Sequence, residues 1–380
     1  MSKTVKLIFT SLTINSFANA LISVFVPIFL IQHGYSLAKI VFVFLIYSVS
    51  KLAVNYGAIK FIIKRGSRLG LALSYIANVI ALIILNVGLA QLNYPLIIAS
   101  FAIAAWSDAF QWNSQHLHLS ELLDKARKSN HLALLSNSST VLGILAPLIG
   151  GFLAGFYGST LVLAIASIIG LFAILPLYWQ GFENSDRHEI IGPYNLKSAP
   201  IKDLVANAAW NTETAIAIFI WPMYVYIFIG QLQDIGLLVA LGSFLTIIVV
   251  YLAGRRGDKI NTHKVINEGT IMSSIFHLVR AFAYSTATVI IGDLGYKISQ
   301  KYMEIGWVST YYGHAKKPGM AYINSMEIAG DIARLIMWIM VWCVALTVPS
   351  GSFYRITFIL AAIITMFCML MSKEGQPIKS

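Results

Sequence analysis

The stretch LAGRRGDKINTHKV, Leu252 to Val265, decides how the rest of the chain is read. Apolar runs of about twenty residues lie on either side of it, the length needed to cross a bilayer core. Between them stand Arg255, Arg256, Lys259 and Lys264, with Gly254 and Gly257 breaking any long helix. A short, basic, glycine-broken loop between two apolar runs reads as a cytoplasmic hairpin, because lysine and arginine collect on the inner side of a membrane. Taken alone, any positive-inside turn would look like this.

The remaining sequence agrees with a membrane setting. Of its 380 residues 58% are hydrophobic and only 11% charged, with a mean hydropathy of +0.74. That composition excludes a soluble domain and fits a polytopic membrane protein. Cys343 and Cys368 both fall in apolar runs and are expected near opposite faces, so no disulfide, redox motif or zinc site is expected. The net charge of +11 is topological in its placement and no nucleic-acid footprint. Ala18-Asn19-Ala20 looks like a signal-peptidase site, but Thr10, Ser11, Thr13, Asn15 and Ser16 dilute the run before it. Apolar character also continues to Ile31. An uncleaved first span is expected.

Twelve spans are expected, at about 7–31, 38–63, 69–90, 94–115, 131–157, 159–179, 206–229, 234–254, 266–286, 287–311, 320–347 and 353–372. Their lengths suit helices and not barrel strands, so the fold expected is an all-α polytopic membrane protein. The break at 286/287 has little room for a turn. With both termini inside, the cytoplasmic segments hold nearly all the lysine and arginine outside the spans, while the external loops hold Lys39 and Arg355. A multi-pass protein of the plasma (inner) membrane with cytoplasmic termini follows.

The polar segment after the sixth span divides the chain into 1–180, a cytoplasmic linker 181–205, and 206–380. A faint repeat crosses it: Phe25-Val26-Pro27-Ile28-Phe29 matches Ile220-Trp221-Pro222-Met223-Tyr224, and Arg127-Lys128 matches Lys316-Lys317. Weak internal symmetry of this kind is typical of transporters built from duplicated bundles.

Two motifs then point to a family. Gly254, three residues, Asp258 and Lys259 resemble the G-x-x-x-D-[RK] loop of the major facilitator superfamily. Gly143-Ile-Leu-Ala-Pro147-Leu-Ile-Gly150-Gly151 resembles its G-x-x-x-[GA]-P-x-x-G-G signature, where glycines allow close helix approach and proline allows a bend. The resemblance implies two pseudo-symmetric six-helix bundles, gating through these motifs, and alternating access. One departure is that Phe61 stands where the loop after the second span should carry its aspartate.

Each charge inside the membrane costs at least about 2.5–3.5 kcal/mol, so those present should face a cavity or a partner. Asp293, Lys297, Lys301 and Glu304 recur at three or four residues and share one helical face, as do Glu327, Asp331 and Arg334. Asp108, Trp112 and His116 form another such row, as do Asn15 and Asn19 with Ser11 and Ser23, while Lys51 lies between Ser48 and Asn55. Of these, Asn15, Asn19, Lys51, Asp108, Trp112, Asp293, Lys297, Lys301, Glu304, Glu327, Asp331 and Arg334, together with Glu213, are the expected substrate and coupling cavity. Asp108 with Lys297, and Lys51 with Asp331, are expected to pair, either as switches that form in one state and break in another or as static salt bridges. His277 and Arg280 occupy a helix that the resemblance makes peripheral, where they either snorkel outward or turn in towards span ten. Trp106, Trp112, Trp210, Trp221 and Trp307 either stack on an organic substrate or pack helices. His116, His118 and Glu121 cluster, but histidines two apart point to different helix faces, so no metal site is expected.

The function expected is secondary active transport of a small organic solute by alternating access. Proton coupling through Asp108, Glu213, Glu327 or Asp331 is expected, since desolvation favours the neutral form of a carboxyl group. No G-x-x-x-x-G-K-[ST] loop is present for ATP, and no cofactor is expected. The protein is expected to be a monomer in the lipid bilayer, binding a solute and protons and no nucleic acid. A lipid or lysolipid flippase on the same scaffold is the alternative. A polytopic enzyme, for which only the segment from His116 to Asp124 gathers suitable groups, comes third, and no enzymatic activity is expected.

Overall fold

The computed structural model describes the backbone of residues 3–123, 128–179, 196–256, 262–316 and 318–372. Side chains are described for 6–117, 142–179, 196–251, 262–316 and 318–372. Among the described residues all regular structure is helical, as expected of backbone that must satisfy its own hydrogen bonds in lipid. Two compact units divide at Pro193 and Tyr194.

The first unit contains α1 (Lys3–Ile22), α2 (Phe25–Gln32), α3 (Leu37–Arg65), α4 (Ser67–Ala90), α5 (Tyr94–Leu123), α6 (Lys128–Phe172) and α7 (Leu175–Tyr178). Helix α1 packs mainly on α6, and α5 packs between α3 and α4. A one-residue joint separates α3 from α4, where Gly66 adopts φ 92°, a left-handed conformation that glycine takes without a Cβ penalty. Helix α6 is kinked at Gly158, whose φ of 81° and ψ of 174° divide it into two helical stretches.

The second unit contains α8 (Ile201–Phe219), α9 (Trp221–Ile229), α10 (Leu232–Arg256), α11 (Thr262–Ala281), α12 (Thr286–Ala315), α13 (Met320–Thr347) and α14 (Ser350–Met366), followed by a 3-10 turn at Phe367–Leu370. Here α8 packs on α13 and α14, while α11 packs on α12 and α14. Helix α8 starts at Ile201, within the stretch read from sequence as linker. The tight boundary expected at 286/287 lies at 282–285 instead. Ser285 and Thr288 form a reciprocal capping box that starts α12.

Eight stretches among the described residues are long and apolar enough to cross a membrane, where twelve spans are expected from sequence. The difference has a physical source. Helices α5, α11 and α12 have the length, but they hold Asp108, His277 with Arg280, and Asp293 to Glu304 respectively. Residues 131–157 and 159–179, read as two spans, merge into the single apolar stretch Leu142–Tyr178.

Outward faces are apolar: Ile76, Ile80, Ile83 and Val87 on α4 are exposed at helical spacing, as are Leu237, Leu241, Phe244 and Ile248 on α10. The interiors hold the polar groups, the reverse of a soluble protein. Helix association in lipid lacks a hydrophobic driving force and depends on close backbone approach and polar contacts. Gly150 supplies such an approach, since a Cβ there would collide with the carbonyl oxygen of Leu21 on α1.

Candidate functional site

Among the described residues of the N-terminal unit, an ion pair joins two helices. Lys51 Nζ on α3 lies 2.7 Å from Asp108 Oδ2 on α5, with the lysine 4% and the aspartate 24% exposed. Beside it, Asn113 donates to Asn55 Oδ1 at 2.6 Å, again joining α5 to α3. Helix α1 adds Asn15, which donates to Gln111 at 3.1 Å. Asn19 does not follow Asn15, as its Oδ1 accepts from Asn78 on α4 at 2.8 Å. Trp112 is well exposed, its ring 5.8 Å from that of His116.

The C-terminal unit is more elaborate. Glu213 on α8 is fully buried and accepts at Oε2 from Tyr296 at 2.8 Å. His277 Nε2 lies 3.1 Å from the same oxygen. Arg280, one turn along α11 from His277, lies between two rings, 4.3 Å from the centre of Trp221 and 3.8 Å from that of Tyr296. This double cation–π contact replaces part of the hydration lost on burial. Asp293 on α12 accepts from Trp221 at 2.9 Å and from Lys297 at 2.6 Å, and lies 3.8 Å from Arg280. Gly292 contributes its carbonyl to Arg280 Nε at 3.2 Å.

His277 and Arg280 therefore turn inward and do not snorkel, although the resemblance makes their helix peripheral. Within each unit these charges have partners of their own. Asp108 is held by Lys51, Lys297 by the preceding-turn Asp293, and Asp331 by Arg334. Adjacent turns and neighbouring helices supply these charges at contact distance. Lys301 pairs with Glu304 at 3.0 Å, and Glu327 is half-buried on α13. Trp210 and Trp307 stack on one another with centroids 4.9 Å apart, and Trp221 stacks on Arg280.

Gly143, Pro147, Gly150 and Gly151 lie on α6, and Gly254 lies on α10. Asp258 and Lys259 lie outside the described residues. So do the side chains of His118 and Glu121, and among the described residues no group of three histidine, cysteine or carboxylate side chains is placed to hold a metal.

One cluster was missed from sequence. Asp203 is fully buried and accepts from Tyr322 at 2.9 Å and from the Ser372 backbone at 2.9 Å, with His314 Nδ1 at 2.8 Å. It was assigned to the linker. The available signal was Pro200 followed by an acid three residues on, a common opening for a helix.

Ion pairs held inside apolar helices of each unit suit a membrane transport fold, and comparison with known proteins agrees. The model of the Major Facilitator Superfamily matches residues 8–267. No curated protein sequence matches the chain. A bacterial homologue of the iron transporter ferroportin, crystallised in an inward-facing state, aligns with a TM-score of 0.72 at 14% identity, covering 98% of both chains. A POT family transporter in complex with 5-aminolevulinic acid aligns with a TM-score of 0.73 at 9% identity, covering 95% of this chain and 94% of that one. At such identities the two likenesses show the fold alone. The family match spans well over half of the sequence, and the chain belongs to the Major Facilitator Superfamily, a family of membrane transporters.

Proposed function

We propose that this protein is a secondary active transporter that moves a small organic solute by alternating access, coupled to a proton gradient. The observation carrying this reading is the Lys51–Asp108 pair at 2.7 Å, in which the acid is the accessible partner and the base is buried. A charge pair retained inside apolar helices at such cost marks a substrate or ion path by default. Protonation of Asp108 would release Lys51 and change the preferred conformation.

Twelve crossings belong to this reading. Helices α5, α11 and α12 would cross with their polar sides turned inward, and Gly158 would divide α6 into two crossings. The halves 1–180 and 206–380 would act as two six-helix bundles rocking about the cavity, joined by the cytoplasmic linker 181–205. Both termini would lie in the cytoplasm. The protein would act as a monomer in the plasma membrane. Asn15, Lys51, Asp108, Glu213, Asp293 and Lys297 would form the substrate and coupling residues, and the Gly143–Gly151 and Gly254–Lys259 motifs the gating elements.

The test is solute-dependent pH change in proteoliposomes, comparing wild type with Asp108→Asn against a panel of organic solutes. Proton flux that needs solute and is lost in the variant supports coupled transport. If no solute moves protons while labelled lipid crosses the bilayer, the protein is a flippase on the same scaffold.

A further inference from the structure

The C-terminal network has a charge arithmetic that names its ligand. Glu213 comes from α8, His277 and Arg280 from α11, and Asp293, Tyr296 and Lys297 from α12. The turn after α14 adds Cys368, which lies within electrostatic reach of Glu213 and Tyr296. Two carboxylates thus face two permanent cations, and the network is neutral when His277 is neutral. With Glu213 ionised, His277 Nε2 must donate to it. Nδ1 then keeps an open lone pair, and it has no hydrogen-bond partner.

One member of the network can leave. The Lys297 side chain is 23% exposed, against 5% for Asp293 and 1% for Arg280. It lies against Gly242 on α10, where a Cβ would come within 3.0 Å of Nζ. Its ammonium is a point charge on a flexible stem, suited to exchanging one carboxylate for another. Asp293 would keep the Trp221 N–H and could draw in Arg280, which now stands at 3.8 Å.

We propose that Lys297 binds the carboxylate of an organic anion, and that each anion bound brings one proton onto the Glu213–His277 pair. This rests on the transport reading above and names its substrate class. When Lys297 turns to an external carboxylate, the buried groups are left with two acids and one fixed cation. A net charge in a desolvated site is unfavourable, so a proton is taken up from solution. It enters at His277 Nδ1 and makes an imidazolium already hydrogen-bonded to Glu213. Protonating Asp293 instead would place a neutral carboxyl opposite Arg280, whereas His277 Nδ1 offers an open lone pair. No other bond is made or broken.

The experiment measures proton uptake by the full-length protein in detergent, in weak buffer with a pH indicator, as lactate or succinate is added. Wild type should take up about one proton per anion bound. Lys297→Met should bind neither acid, and Glu213→Gln/His277→Gln should bind them with at least fivefold less proton uptake. Binding by wild type without proton uptake overturns the linkage. Uptake that survives the double variant but is lost in Asp293→Asn moves the proton to Asp293 and also overturns it. If neither acid binds, or lactamide binds as well as lactate, the anion assignment falls. Transport of a neutral solute in proteoliposomes would then still uphold the transport reading. Conversely, linked anion and proton binding with no solute crossing the membrane upholds the linkage and removes the transport reading.

Discussion

The two units each hold an ion pair in apolar surroundings, but they hide opposite charges. In the N-terminal pair the base is buried, Lys51 at 4% exposure, and the acid Asp108 is reachable at 24%. In the C-terminal pair the acid Asp293 is buried at 5% and the base Lys297 is reachable at 23%. Asp293 has a Trp221 N–H and the Arg280 guanidinium behind it, and Lys51 meets Asp108 at 2.7 Å. With its reserve donors the C-terminal unit can lend its accessible lysine, while the N-terminal unit presents an accessible acid. The difference assigns an acid-first role to the N-terminal unit and a base-first role to the C-terminal one.

That asymmetry breaks most severely at Arg280. Arg280→Met would strand Asp293 and Glu213 behind one remaining fixed cation and remove two cation–π contacts. Loss of one partner from a buried charge network costs about 3–5 kcal/mol. A pronounced fall in the thermal midpoint in detergent, with little folded protein recovered, is the expected outcome. A midpoint equal to wild type would show that the C-terminal network holds no structural weight.

Asp108→Asn comes next, with a cost of about 3 kcal/mol, since it leaves a buried lysine without its carboxylate. Replacing both members, as Lys51→Met/Asp108→Leu, should recover most of the thermal stability without recovering transport. If the double variant is no more stable than Asp108→Asn, the penalty does not come from a stranded charge.

Gly150→Ala separates packing from charge in the N-terminal unit. It adds a methyl group against the Leu21 carbonyl while touching no ion pair, and overpacking of this kind costs about 1–3 kcal/mol. A reduced thermal midpoint with an unchanged proton stoichiometry is expected.

Smallest of all should be Lys297→Met. The reserve donors on Asp293 limit the stability loss to about 1 kcal/mol, so the protein should melt close to wild type while losing carboxylate binding. A stability loss as large as that of Asp108→Asn would erase the contrast between the units.

Much of this was open to inspection along the chain. The spacing of Asp293, Lys297, Lys301 and Glu304 placed charges one turn apart, and two of the pairs found are those neighbours. The Gly143–Gly151 pattern announced close helix approach, and Gly150 makes it. Other features were hidden because they join residues far apart. Asn19 lay on the same sequence row as Asn15, yet it faces α4. Asp203 was taken as linker because the start of α8 depends on packing against α13 and the turn after α14.

By itself the sequence determined a helical membrane protein of the Major Facilitator Superfamily, since hydropathy and short motifs are local properties read over one or two turns. Only the tertiary structure decided which charge meets which. A buried charge takes the nearest partner across a helix interface, and that distance depends on how helices rotate against one another. It turned His277 and Arg280 inward, gave Asp108 to Lys51, and left Lys297 as the accessible cation of its pair.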